Sequence, residues 1–248
     1  MTGSLVVVGT GPGRAELMTP ATSAAVARAT DLVGYGPYLD RIPTRADQCR
    51  HASDNRVELD RARLALSLAA SGRHVAVVSG GDPGVFAMAA AVFEAVEAGD
   101  PAWRTLDIRV EPGVTAMLAA AAEVGAPLGG DFCAISLSDN LKAWTTIERR
   151  LTAAAEADFV IALYNPASKA RPHQLGDALA LLRAKKKAET PLLFIRAAGT
   201  TEAKVVATTL GAADASVADM RTLVIVGAST TRQVGRWIYT PRGERVAS

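Results

Sequence analysis

Two stretches of this chain decide its fold: LVVVGTGPG at residues 5–13 and VAVVSGGDPG at residues 75–84. Each is a short apolar run that breaks into a glycine-proline loop and is followed by a helix-like segment. Short apolar runs bounded by turn residues are typical of buried strands. In open α/β sheets, ligands bind at loops beyond the carboxyl ends of the strands. We therefore expect an α/β protein with a small-molecule site at these two loops.

The details of the loops narrow the class of ligand. Neither loop ends in the lysine and serine or threonine of an ATPase phosphate loop. Arg14 occupies the position of the third glycine of a dinucleotide fingerprint. Pro12 and Pro83 also remove backbone N–H donors that a pyrophosphate would use. The loops therefore suit a ligand without phosphate, such as S-adenosylmethionine, although two tight strand-to-helix turns with no ligand remain an alternative.

The length of 248 residues suits two domains. Strand-like and helix-like segments alternate throughout, which indicates α/β architecture. We expect an N-terminal α/β domain over residues 1–112 and a C-terminal α/β domain over residues 113–248. Strands are predicted at residues 5–8, 31–33, 75–78, 106–110, 132–135, 159–163, 192–195 and 222–226. Helices are predicted at residues 21–29, 58–70, 86–98, 116–124, 147–155 and 175–186, and residues 45–57 are expected to be irregular.

Charge and composition exclude several functions. A net charge of +2 is too small to indicate a nucleic-acid partner. Cys49 and Cys133 are isolated and the three histidines are scattered, so we expect no metal site. Apolar stretches are interrupted before they reach a membrane-spanning length, and no signal peptide is visible. These observations predict no membrane association and a cytoplasmic location.

The ordered motifs of the chain resemble the tetrapyrrole methylases, which use S-adenosylmethionine. The principal motifs are VGTGPG at 8–13, GGDPG at 80–84 and PGVTA at 112–116. Further segments narrow the resemblance to one branch of the family, in cobalamin biosynthesis: VGYGPY at 33–38, ASDNR at 52–56, SGGDPGVFAM at 79–88, ISLSD at 135–139, ALYNP at 162–166 and TPRG at 240–243. The resemblance covers essentially the whole chain.

The resemblance implies C-methylation of a corrin precursor at C17 with contraction of the macrocycle, and release of S-adenosylhomocysteine. It also implies two α/β domains with a ligand cleft between them, and a homodimer. Several alternatives stay open. The substrate is either metal-free or cobalt-containing, or another position is methylated. A methylase of the diphthamide or ribosomal-RNA type is a more distant alternative, and a non-catalytic module that binds tetrapyrrole or cofactor is another.

The same resemblance assigns residues to the cofactor pocket. These are Pro12, Gly81, Asp82, Val85, Phe86, Thr115, Ala116, Tyr164, Asn165, Ala198 and Gly199. Asp82 is expected to bond the ammonium or a hydroxyl of the cofactor, with a helix N-cap as the alternative role. The chain departs from the family pattern at four positions, where polar contacts are expected to be weaker: Gly130, Ala197, Thr200 and Ala228.

Ring contraction requires general acid–base help, because a proton leaves an oxygen on the ring bridge and a lactone oxygen departs. We expect Asp139 and Tyr35 to be catalytic. The acidic substrate requires cations and hydrogen-bond donors on loops. The expected substrate-binding residues are Tyr38, Arg50, Arg56, Ser138 and Lys142. Arg61 and the run Lys185–Lys187 are expected to be solvated.

Overall fold

The computed structural model describes residues 3–54, 57–168 and 170–243. Its internal contacts divide the chain into two units, Met1–Ala116 and Met117–Ser248. The expected domain boundary at residue 112 lies shortly before this division and stays a prediction. Each unit is built around its own five-stranded sheet.

The first unit alternates strands and helices. Its elements are β1 Ser4–Gly9, α1 Pro20–Arg28, β2 Asp31–Tyr35, α2 Gly36–Leu39, β3 Cys49–Ser53, α3 Glu58–Ala70, β4 His74–Ser79, α4 Met88–Ala98 and β5 Asp107–Glu111. Local sequence explains where α1 begins, since the Thr19 side chain accepts a hydrogen bond from the Thr22 N–H and Pro20 occupies the first turn.

The sheet of the first unit is parallel throughout, with the order β3-β2-β4-β1-β5. All five carboxyl ends therefore lie along one edge, and the loops that follow β1, β4 and β5 share that edge. Alternation along β1 directs Leu5 and Val7 to one core and Val8 to the other. Helices α3 and α4 cover the first face, and α1 covers the second.

An ionic cluster lies where β2 begins. Asp31 is 2% exposed and accepts hydrogen bonds from Arg73 Nε at 2.7 Å and Thr30 Oγ1 at 2.7 Å, and His51 Nε2 lies 2.9 Å away. Burial alone would raise the pKa of Asp31, but the bonds from Arg73, His51 and Thr30 outweigh it and lower the pKa to about 2. This cluster ties the start of β2 to β3 and β4.

The second unit follows the first along the chain. Its elements are α5 Ala116–Val124, β6 Gly125–Ala126, β7 Phe132–Ser136, α6 Trp144–Glu156, β8 Val160–Tyr164, α7 Gln174–Arg183, β9 Pro191–Arg196, β10 Lys204–Thr209, β11 Thr222–Val226, β12 Arg232–Val234 and β13 Trp237–Tyr239. The main sheet has the order β10-β9-β11-β8-β7 and is mixed, because only β7 and β8 pair in parallel. Helices α6 and α7 pack on it around Leu151, Leu163 and Leu179.

The sequence predicted every central strand and every long helix, with ends displaced by a few residues. The expectation that residues 45–57 are irregular was wrong, because β3 lies within them. Strands β6, β10, β12 and β13 were not predicted either. The prediction that Lys185–Lys187 is solvated was wrong at Lys186, because its side chain is 3% exposed and its Nζ pairs with Asp158 Oδ1 at 2.7 Å. The missed strands and the buried lysine depend on pairing between residues far apart in sequence, which local sequence patterns do not reveal.

Among the described residues, no helix combines the length and apolarity that a membrane crossing requires.

Candidate functional site

Three loops meet by backbone contact at the carboxyl edge of the first sheet. The Gly11 N–H donates to the Gly81 carbonyl at 3.1 Å, and the Gly81 N–H donates to the Gly11 carbonyl at 2.8 Å. A Cβ on Gly113 would lie 2.2 Å from the Gly81 oxygen, and one on Gly9 would lie 2.7 Å from the same atom. These glycines are therefore required by the close approach of the loops that follow β1, β4 and β5.

Asp82 fastens two of these loops together. Its Oδ1 accepts the Gly84 N–H at 2.8 Å and its Oδ2 accepts the Gly113 N–H at 3.0 Å. Since α4 begins only at Met88, the alternative role of Asp82 as a helix N-cap is wrong. Bonds between backbone N–H groups and a carboxylate are among the stronger hydrogen bonds in proteins. Asp82 therefore sets the shape of the loop and places a negative charge in it.

The space beside Gly81 is open. A Cβ on this residue would meet nothing closer than the Thr115 Cα at 3.8 Å and the Ala116 N at 3.9 Å. Thr115 is buried, whereas Pro12 and Val85 are partly exposed and Phe86 is 51% exposed. The structure thus brings the expected cofactor residues of the first unit to one edge of one sheet.

Tyr35 and Tyr38 pack against the same edge. Their rings meet edge to face, with centroids 5.4 Å apart. Tyr38 lies directly over Gly80, where a Cβ would come within 2.7 Å of its Cζ. The Arg41 guanidinium carbon also lies over this ring, 5.3 Å from its centroid. Tyr38 therefore supports the second glycine loop, and its contact with substrate stays a prediction.

Two arginines differ from expectation. Arg50 lies in β3 and not on a loop, and its guanidinium donates to the carbonyls of Leu39 at 2.9 Å and Ile42 at 2.7 Å. Arg61, expected to be solvated, is 5% exposed. Its guanidinium donates to Ser53 Oγ at 2.8 Å, and burial lowers its pKa. Arg56 lies outside the described residues.

In the second unit, the carboxyl end of β8 carries Tyr164 and Asn165. The Tyr164 hydroxyl accepts the Met117 N–H at 3.0 Å, at the first turn of α5. Asn165 has a φ of 53° and donates from Nδ2 to Ser136 Oγ at 2.9 Å. The first bond joins the end of β8 to α5, and the second holds the ends of β7 and β8 together.

The turn after β9 contains the last two expected cofactor residues. Ala198 is 7% exposed, and Gly199 has a φ of 72° and donates its N–H to Glu123 Oε1 at 3.3 Å. Ala197 adopts a φ of 51°, where asparagine is tolerated better than alanine. The departure from the family pattern at this position therefore leaves a strained alanine.

Left-handed backbone is concentrated at these loops. Among the described residues, non-glycine residues with positive φ are Phe86, Asp158, Asn165 and Ala197. Three of the four lie in or beside expected cofactor segments. Residues in such conformations cluster at ligand sites, because the surrounding structure must enforce them.

Asp139, Ser138 and Lys142 lie on the loop between β7 and α6. The Ser138 N–H donates to Ser136 Oγ at 3.3 Å. Burial, and then the nearby Arg150, lower the pKa of Lys142. Asp139 is approached by Gln174 and Arg171, two buried residues that the sequence did not single out. The only sequence signal for them is their place just after the ALYNP segment.

These loops fit S-adenosylmethionine on their chemistry. They offer backbone carbonyls, one carboxylate and close glycine contacts, and the SGGDPG segment carries no cation. A ligand with an ammonium and a sulfonium suits such a lining better than a phosphate does. Within residues 3–54, 57–168 and 170–243, no group of three or more His, Cys, Asp and Glu side chains is arranged to hold a metal ion.

A parallel sheet with paired glycine loops at its carboxyl edge defines an α/β small-molecule-binding protein. Comparison with known proteins identifies the family: residues 4–214 match the profile of the Tetrapyrrole (Corrin/Porphyrin) Methylases. The chain belongs to this family, as its motifs predicted.

Individual relatives are similar over nearly their whole length. The chain is 60% identical to a precorrin-3B C(17)-methyltransferase of Sinorhizobium sp over 98% of this chain and 97% of that protein. It is 41% identical to a probable cobalt-factor III C(17)-methyltransferase of Salmonella typhimurium over 96% of this chain and 98% of that protein.

Solved structures agree with the fold. A crystal structure of the methyltransferase CobJ superposes with a TM-score of 0.94 and 55% identity, over 96% of this chain and 100% of that one. Uroporphyrin-III C-methyl transferase from Thermus thermophilus, solved with S-adenyl homocysteine, has a TM-score of 0.66 and 20% identity over 91% and 92% of the two chains. The second likeness shows the fold alone.

Proposed function

We propose that the protein is a precorrin-3B C17-methyltransferase, which methylates C17 of the macrocycle and contracts the ring to give precorrin-4. The observation that carries the proposal is the 60% identity to a protein of that name over nearly the whole of both chains. Full coverage matters because the candidate residues come from both halves of the sequence. The close packing of the glycine loops and the Asp82 carboxylate at one sheet edge supports the proposal.

S-adenosylmethionine is the proposed methyl donor, and S-adenosylhomocysteine the product. When bound, the donor supplies an electrophilic methyl group on a sulfonium. Support comes from family membership and from the loop chemistry. The residues proposed to hold it are those predicted from sequence: Pro12, Gly81, Asp82, Val85, Phe86, Thr115, Ala116, Tyr164, Asn165, Ala198 and Gly199.

The chain's own contribution to methyl transfer is alignment, because in-line displacement depends on placing the acceptor carbon against the methyl group. The backbone bonds between Gly11 and Gly81, and those from Gly84 and Gly113 to Asp82, make the loops rigid. Rigid loops hold the donor without reorganisation. We propose Asp139 and Tyr35 as the groups that move protons during ring contraction. General acid–base help of this kind contributes roughly 10²–10⁴-fold to the rate.

The test uses the purified protein with methyl-labelled S-adenosylmethionine and precorrin-3B, followed by mass spectrometry and absorbance. A macrocycle that gains one labelled methyl and contracts supports the proposal. A parallel reaction contains cobalt-factor III, the substrate named for the Salmonella relative. Faster turnover of the cobalt compound would assign the protein to the cobalt-containing route, and binding without transfer to either compound would indicate a binding module.

The assembled form and the compartment are proposals as well. The family resemblance supports a homodimer, which light scattering of the purified chain tests. Cys49 and Cys133 are free, which fits the reducing cytoplasm where disulfides are rare. Fractionation of the producing cell tests the proposed cytoplasmic location.

A further inference from the structure

The loop between β7 and α6 places Asp139 beside two buried polar side chains. Gln174 is 2% exposed and donates from Nε2 to Asp139 Oδ2 at 3.2 Å. Arg171 is 8% exposed, and its Nε lies 4.0 Å from Asp139 Oδ1. Each carboxylate oxygen therefore faces a different buried donor, while the carboxylate itself remains one-third exposed.

Both donors are fixed by structure that does not involve Asp139. Gln174 is the first residue of α7, whose Leu175, Leu179 and Leu182 are fully buried in the core of the second unit. Arg171 is held by paired backbone bonds with Ser168, each 3.0 Å long. Its Nη1 also approaches the carbonyl of Asn165 at 3.5 Å. Gln174 is thus anchored by a buried helix and Arg171 by backbone bonds within the loop that precedes it, whereas Asp139 lies in the loop between β7 and α6.

The Gln174 amide is oriented with its nitrogen toward the Asp139 carboxylate. Among the residues that the structure describes, the buried Gln174 Oε1 atom has no hydrogen-bond partner, and burying a polar atom in that way is unfavourable. The amide is turned this way because its nitrogen can donate to the carboxylate, whereas its oxygen would repel it. The fold tolerates that cost at a group whose bond is directed at Asp139.

We propose that Arg171 and Gln174 are positioning residues that fix the orientation of the Asp139 carboxylate for the reaction. The inference rests on the proposed function and on the proposed acid–base role of Asp139. Neither residue needs to touch substrate, since both act through Asp139. An error of about 1 Å in the placement of a reacting group costs up to roughly 100-fold in rate. Precise positioning of the carboxylate by these two donors is therefore worth a measurable factor in kcat.

The test is a double-mutant cycle on kcat for the contracted product. Asp139→Asn is expected to lose roughly 100-fold or more. Gln174→Met and Arg171→Met are each expected to lose about 10-fold in kcat, with little change in KM. In the Asp139→Asn background, the same substitutions should add less than about twofold, because the group they act on is already disabled.

Arg183→Met is the matched control. Arg183 is the last residue of α7, the helix that Gln174 begins, and among the described residues it donates to the backbone carbonyls of Leu210 and Ala213, at 3.0 Å and 2.5 Å. Its removal should lower the melting temperature and leave kcat unchanged in both backgrounds. Binding of S-adenosylhomocysteine by each variant, measured by calorimetry, checks that the folded site persists. If Arg171→Met does not fold, Gln174→Met carries the cycle alone.

Three outcomes separate the inference from the function. Losses that multiply fully in the double variants would overturn the positioning role, because they would show that Arg171 and Gln174 act independently of Asp139. Wild-type kcat in Asp139→Asn would overturn it too, while leaving the proposed methyltransferase intact. No turnover by the wild-type protein with either macrocycle would reject the proposed function, and the inference with it.

Discussion

Substitution of Gly81 by alanine separates the cost of backbone strain from the cost of blocking a ligand. Gly81 has a φ of 66°, in the left-handed region that alanine adopts poorly. The added Cβ has room, because the nearest atom outside its neighbours is the Thr115 Cα at 3.8 Å. The folded protein can therefore accept the methyl group without a clash.

The magnitude follows from two opposing effects. A left-handed conformation costs an L-residue about 1–2 kcal/mol. Replacing glycine by alanine also restricts the unfolded chain, which returns about 0.4–1 kcal/mol. We expect Gly81→Ala to lower the free energy of unfolding by about 1 kcal/mol. The added methyl group also points at residues 114–116, where we propose that the cofactor binds. We therefore expect the Kd for S-adenosylhomocysteine to rise at least about 10-fold, which corresponds to about 1.4 kcal/mol of binding free energy.

Two further glycine variants calibrate the result. Gly113→Ala places a Cβ 2.2 Å from the Gly81 oxygen, so it must displace backbone and should destabilise far more. Gly176→Ala, in α7, places a Cβ that meets no described atom within 4 Å. It should stabilise the helix by up to about 1 kcal/mol and leave the Kd unchanged. Urea unfolding followed by circular dichroism gives the free energies, and calorimetry with S-adenosylhomocysteine gives the Kd.

Either of two results would refute the reasoning. An unchanged Kd in Gly81→Ala would show that the ligand does not approach this residue. A loss of more than about 3 kcal/mol in unfolding free energy would exceed the strain of one left-handed residue and contradict the open space seen beside Gly81.

Three other substitutions test the surrounding framework. The pKa of Asp31 falls from 3.8 to about 2 on folding, so its stabilisation is present above pH 4 and lost as pH falls through about 2. Asp31→Asn should remove about 2 kcal/mol of that pH dependence in acid unfolding curves. Tyr164→Phe deprives the Met117 N–H of its acceptor and should lower the free energy of unfolding by about 1–3 kcal/mol, measured by urea unfolding, and an unchanged value would contradict this. Ala197→Asn should raise the melting temperature by relieving about 1 kcal/mol of left-handed strain, and a lower melting temperature would contradict this.

Much of the candidate site was predictable from local sequence. The apolar runs that form β1 and β4 break at glycines, and both loops lie at the predicted sheet edge because parallel strands share one carboxyl edge. Two edge strands, β3 and β10, were missed for a physical reason. Strand β10 is exposed on both faces for most of its length, and β3 is largely polar, so neither shows the alternation that marks a strand.

The sequence by itself determined the α/β class, the central strands and long helices, the family and the glycine loops, because short-range patterns encode them. Only the tertiary structure decided what the charged side chains do. Arg61 and Lys186 are buried, Arg50 binds backbone carbonyls, and Arg171 and Gln174 converge on Asp139. A charge is buried only where groups distant in sequence compensate it, and that compensation arises when the chain has folded.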